Sequence, residues 1–181
     1  MSENKRRLCL IICAAGPAGD AATLIDLAHA SEWTVNVVAT PAAVPSLDPH
    51  SIRDRTGVAP RSDYAAPGEA RSRAAAADAL IIAPATYNTI NKLAAGINDT
   101  YALNVAAEAI GRRTPAAILP FVNQALADRR PFQQALRSLR EEGVAIIYGP
   151  EQWLPHPPGT GNHHLSTFPW DKALAAVAVD G

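Results

Sequence analysis

Apolar residues in this chain fall into short unbroken runs, separated by stretches in which they recur every three or four positions. The runs cover 8–13, 35–39, 79–83, 116–119 and 144–148. Because they are continuous rather than alternating, they predict parallel strands covered on both faces. Between them the helical period takes over. A helix is predicted over 20–30. A second has Ile90, Leu93, Ala94 and Ile97 on one face and stops around Gly96. A third is capped by Asp99 or Thr100, carries Leu103, Ala106 and Ile110, and is closed by Gly111. A fourth spans 132–142, with Pro131 suited to its first turn and Gly143 at its end. Strands and helices alternating at this spacing predict a doubly wound α/β sheet, and no internal repeat or second core is visible.

Two segments break the rhythm. Residues 41–68 hold Pro41, Pro45, Pro49, Pro60 and Pro67, with one short helix expected over 49–55. Residues 149–169 hold Pro150, Pro155, Pro157, Pro158, Gly159, Gly161 and Pro169 before a last helix near Trp170. Structureless stretches of about 20 residues are uncommon inside compact domains and often serve as lids, binding loops or subunit contacts. The expected organisation is one domain over 1–181: a core at about 8–148, an irregular lid or interface over 149–169, and a C-terminal helix over 170–179.

Composition narrows the function. With 181 residues, 48% apolar and 18% charged, the chain can build a real core and is not of the disordered class. A formal net charge of −1 supplies no field that gathers nucleic acid or an anionic membrane. No apolar run approaches the roughly 18–20 residues of a membrane span. Lys5, Arg6 and Arg7 precede the first run, but that run is short and ends at Gly16-Pro17, so it reads as a buried strand rather than a signal peptide. Cys9 and Cys13 share one face of that strand at about 13 Å, too far to bridge. The expectation is a cytoplasmic protein.

In open α/β sheets, ligands bind beyond the carboxyl ends of the strands. The first strand runs into Ala14-Ala15-Gly16-Pro17-Ala18-Gly19, whose small residues and following helix start suit a phosphate, although they serve a plain tight turn equally well. The second ends at Thr40, where a NAD site would place a carboxylate; a hydroxyl suits phosphate and a mononucleotide, or simply ends a strand. The third ends at Pro84-Ala85-Thr86-Tyr87-Asn88-Thr89, a neutral hydrogen-bonding edge that matches a planar heterocycle better than a metal or an anion. The fourth ends at Pro120-Phe121-Val122-Asn123.

Residues 84–89 resemble the PASANT motif of the homo-oligomeric flavin-containing cysteine decarboxylases. That family includes phosphopantothenoylcysteine decarboxylase and enzymes that oxidatively decarboxylate the C-terminal cysteine of lantibiotic-type peptides. Pro84, Ala85, Asn88 and Thr89 match directly, Thr86 stands for the serine and Tyr87 for the second alanine; Lys92, Gly96 and Asp99 continue the pattern. Pro120 and Asn123 match the family's asparagine loop, whose methionines and tryptophan are here Val122, Leu126 and Ala127. The likeness spans roughly 8–148. It implies a three-layer Rossmann-like or flavodoxin-like sandwich with a mostly parallel central sheet, binding FMN. It implies phosphate contacts at Ala15, Gly16, Pro17, Ala18 and Thr40, and ring contacts at Ala85, Thr86, Asn88 and Thr89. It makes Asn123, as the residue that recognises substrate carboxylate, and Asn88 the candidate catalytic residues, and it implies homotrimers or dodecamers of trimers.

The chain departs from the family at its catalytic histidine. That position falls at about Ala70, and no histidine occurs between His50 and His156. His50 would have to reach in from the irregular segment, or Arg71 or Arg73 would hold a carboxylate; each also reads as a plain surface residue. The 149–169 segment lacks the cysteine found in the clamp of the phosphopantothenoylcysteine enzyme, leaving Trp153 or His156 as candidate ligand contacts. His156, His163 and His164 lack the carboxylate or cysteine that would complete a metal site, so no metal is expected. The implied function is FMN-dependent oxidative decarboxylation of a small or peptidic substrate carrying a thiol and a carboxylate. The alternatives are another FMN-dependent redox activity and a non-catalytic flavin-binding or regulatory protein.

Overall fold

A computed structural model describes residues 5–64 and 73–178. Its strands are β1 (Arg7–Ile12), β2 (Thr34–Ala39), β3 (Ala79–Ala85), β4 (Ala116–Pro120) and β5 (Ala145–Ile146). They form one sheet in the order β2-β1-β3-β4-β5, every pairing parallel. This is the flavodoxin-like order. In register, Leu10 faces Val37 on one side and Ile81 on the other.

Both faces of the sheet are covered, which is why the strands read as continuous apolar runs. Cys9, Ile11, Cys13, Leu80 and Ile82 pack under α3 (Tyr87–Ala94), α4 (Tyr101–Gly111) and α6 (Arg130–Glu141). Leu8, Leu10, Ile12, Ile81 and Ala83 pack under α1 (Ala22–Ala30) and α7 (Trp170–Val177). The expected helices are present, with ends set by local chemistry. Thr100 rather than Asp99 caps α4, its Oγ1 accepting from Leu103 N at 3.2 Å. Gly96 and Gly143 take φ of 69° and 92° just after α3 and α6. The predicted 20–30 helix is divided: a 3-10 turn over Gly16–Asp20 precedes α1.

The fifth strand is shorter than its apolar run. Tyr148 N turns to Ile146 O at 3.0 Å and to the Gln152 side chain at 2.8 Å, so the ladder stops where a tight turn begins. At the opposite edge, the chain after α2 (Pro49–Thr56) returns beside β2. Arg61 N donates to Val37 O at 3.1 Å, and Ala39 N donates to Arg61 O at 2.8 Å. The segment after β5 holds a 3-10 turn over Gly161–Thr167. Among the described residues no helix is long and apolar enough to cross a membrane.

Candidate functional site

β1 lies second from one edge of the sheet, with β2 on one side and β3 on the other, so the connections leaving β1 and β3 diverge and open a crevice at their carboxyl ends. Backbone bonds carry the sheet beyond its strands and fix the loops there. Cys13 N donates to Pro84 O at 3.1 Å, Thr40 N to Ile12 O at 2.9 Å, and Phe121 N to Ala85 O at 2.9 Å.

The crevice contains a cavity of about 360 Å³. Thr40 reaches it from the end of β2, and Thr86, Asn88 and Thr89 from the start of α3; Lys92 follows one turn on, and Thr100 enters from the start of α4. Sequence-predicted residues from the second and third strand ends therefore do converge. Thr86 is the N-cap of α3: its Oγ1 accepts from Thr89 N at 3.2 Å and donates to Thr89 Oγ1 at 3.0 Å. Asn88 is exposed, and its amide has no partner among the described residues. Thr40 is only 9% exposed; among the described residues its hydroxyl bonds to nothing, and it lies on the cavity wall. Lys92 Nζ lies 2.5 Å from Asp99 Oδ2.

Beneath this wall, Cys13 bonds to Thr89 and Thr86, but burial pushes its thiol well above the ordinary value and outweighs those bonds. Burial pushes Cys9 up to about 12. Both cysteines are free and stay protonated, so neither is a nucleophile.

The other expected residues lie elsewhere. Ala15, Gly16, Pro17 and Ala18 enter the first 3-10 turn, where Pro17 and Ala18 are buried. A Cβ on Gly16 would stand 2.8 Å from Leu165 Cδ2 and 3.0 Å from Phe121 Cε1, so this glycine admits the close approach of the 161–167 turn. Ala85 is fully buried in the core. Asn123 caps the short α5 (Gln124–Ala127), its Oδ1 accepting from Leu126 N at 3.0 Å. Neither the Gly16 turn nor Asn123 is on the wall of the 360 Å³ cavity.

Asn123 instead meets the 149–169 segment: Gln124 N donates to His156 O at 2.8 Å and His156 N to Val122 O at 3.4 Å. His156 is 8% exposed, its ring 4.6 Å from the Phe121 ring and 5.7 Å from that of His164. Its Nδ1 is buried and has no hydrogen-bond partner among the described residues. Burial, with the nearby His164 charge, holds His156 below the usual histidine range, so the ring is neutral at pH 7. His50, by contrast, is exposed in the first turn of α2, its backbone N bonded to Asp48. Ala70, Arg71 and the Arg73 side chain lie outside the described residues. The residues that sequence reasoning did not place at the site are Lys92, which entered only through the PASANT continuation, and Thr100, which read only as a cap.

The Flavoprotein family model matches residues 1–168. The chain belongs to the Flavoprotein family. It is 35% identical over 71 residues to the coenzyme A biosynthesis bifunctional protein CoaBC of Thermococcus kodakarensis; that match covers 39% of this chain and about a sixth (17%) of the relative. Among solved structures, the FMN-dependent cysteine decarboxylase SpaF superposes with a TM-score of 0.68 and 27% identity over 93% of this chain and 97% of its own. TvaF, an FMN-dependent cysteine decarboxylase from thioviridamide biosynthesis, gives 0.73 and 20% over 98% and 100%, and EpiD from Staphylococcus aureus 0.67 and 24% over 78% and 81%. The last two speak for the fold. The resemblance carried by residues 84–89 and 120–123 thus holds at the level of family and architecture.

Proposed function

We propose that this flavoprotein-family chain binds FMN at the β1/β3 crevice and decarboxylates a cysteine-bearing small molecule or peptide. The observation that carries the reading is the convergence, on one cavity, of Thr40, Thr86, Asn88, Thr89 and Lys92. Family membership and the likeness to SpaF support it.

The donor set fits the cofactor. Thr40 offers a hydroxyl with no protein partner, Asn88 an unengaged amide, and Lys92 a cation. The Thr86 hydroxyl is held by its capping bond, so the edge it presents is fixed before any ligand arrives. When bound, FMN supplies the capacity to take a hydride equivalent from the substrate's thiol-bearing carbon, which makes loss of CO₂ easy. The protein's part is orientation. Asn123 stands on a short capped helix, with its amide nitrogen left to meet a carboxylate. The 149–169 segment lies beside it, bridged to it through the His156 backbone. Assembly into homotrimers belongs to the same reading, on the family likeness.

A second reading, a flavin binder without turnover, is favoured by one observation: no histidine occurs between His50 and His156. Anaerobic mixing of the FMN-loaded protein with cysteine-ended peptides and with phosphopantothenoylcysteine separates the two. Bleaching of the flavin's visible absorption together with CO₂ loss by mass supports the decarboxylase. Bleaching alone points to another redox substrate. Stable colour with every thiol tested favours the silent binder, and failure to take up FMN at all overturns both.

A further inference from the structure

α6 begins just after the short α5 that Asn123 caps, and its N-cap, Arg129, reaches across to the first residue of α3. Arg129 Nη1 donates to the Tyr87 hydroxyl at 3.2 Å, and its guanidinium carbon lies 6.0 Å from the centre of the Tyr87 ring. Tyr87 in turn stacks on Phe132 at 5.7 Å. The ridge between the 86–89 turn and the Asn123 turn therefore carries an exposed guanidinium. Among the described residues it spends one of its five N–H donors.

The positive charge continues from there. α6 buries Phe132, Ala135, Leu136 and Leu139, which leaves Arg130 and Arg137 exposed on its opposite face, two turns apart. Among the described residues none of the three arginines pairs with a carboxylate. Asp128, the acid beside them in the chain, accepts from the Gln124 amide at 2.6 Å. In a chain of formal net charge −1, this is a local excess of one sign. Arginine forks take carboxylates bidentately. From Arg130 to Arg137 the helix rises about 10 Å, which about three residues of extended chain also span. A single anionic group cannot reach both ends of such a strip, whereas acids spaced along an extended peptide can.

We propose that the exposed face of α6, with Arg129 at its head, docks an acidic stretch of a peptide whose C-terminal cysteine enters at Asn123. This inference rests on the proposed decarboxylation and narrows its substrate to acidic peptides.

The test is fluorescence anisotropy of two labelled peptides on the FMN-loaded full chain. Both end in cysteine; one carries Asp and Glu ahead of it, the other Asn and Gln. The acidic peptide should bind about 10-fold more tightly at low salt, as three exposed ion pairs would give, and the margin should shrink as salt rises. Arg130→Gln with Arg137→Gln should remove most of that margin, and Arg129→Gln the rest, while FMN uptake holds and reports an intact fold. Equal affinity for the two peptides, or a margin that survives all three substitutions, overturns the docking face. So does a single-stranded oligonucleotide that displaces the acidic peptide at lower concentration than the unlabelled peptide does. Turnover separates this from the functional reading. Equal CO₂ release from both peptides at sub-saturating concentration overturns the acidic preference while decarboxylation stands. Arginine-dependent binding with no flavin bleaching by either peptide keeps the docking face and overturns the decarboxylase.

Discussion

Two regions at the carboxyl ends of the strands, the α3/α4 wall of the cavity and the 149–169 segment beside Asn123, are built on different principles. On the α3/α4 side, the wall is a set of short-range polar contacts: Thr86 capping α3, Thr100 capping α4, and Lys92 held by Asp99. The 149–169 segment, by contrast, is held largely by rings. Phe121 lies 6.4 Å from Trp153, 4.6 Å from His156 and 5.7 Å from Phe168, and Phe168 lies 4.7 Å from Trp170. Caps act between neighbours three residues apart and survive only in one local geometry. Ring contacts join residues far apart in sequence and tolerate sliding, since burial is non-directional. One region is therefore fixed by contacts within a helix turn, and the other by contacts between residues distant in the chain.

Substitutions can break this contrast, the most damaging first. Phe121→Ala should cost about 3–5 kcal/mol in chemical denaturation, because it removes the ring on which the segment converges. A loss under about 1 kcal/mol would show that polar contacts hold the segment instead. Gly16→Val should cost about 1–3 kcal/mol, with altered Trp153 emission as Leu165 and Phe121 are pushed back. Thr86→Ala should cost about 1 kcal/mol through loss of the cap and should weaken FMN binding, while Thr86→Ser keeps both. An effect on stability with none on binding would detach the cap from the site.

The smallest effect is one of pH. His156 titrates below the ordinary histidine value of about 6.5 in the folded chain, so the unfolded chain binds its proton first. As pH falls through 6.5 the folded state therefore loses stability relative to the unfolded one, and above that value the contribution is flat. Stability curves of wild type and His156→Phe should diverge only on the acid side, and parallel curves would show that the ring is not buried as described.

The central strands were legible because burial on both faces leaves an unmistakable apolar run, as in β1 and β3. The helix caps at Thr100 and the stop at Gly96 were legible because their signals are local. The end of β5 was not, since it depends on Gln152 reaching back to Tyr148 N. Thr86 reads as a ligand contact in the motif, yet part of its hydroxyl's capacity goes to the α3 backbone. The role of Gly16 was hidden because its neighbour Leu165 is distant in sequence. Lys92 entered the sequence reading only as a continuation of the motif, and the placement of α3 against the end of β2 is what brings it into the cavity.

The strip of chain at Arg61 that bonds along the outside of β2 has a consequence for assembly. With the carboxyl end of that margin bridged by Arg61 and the opposite margin only two residues long, both flanks offer a shortened ladder of open amides for sheets to polymerise on. Short edges of this kind disfavour growth of the sheet from copy to copy.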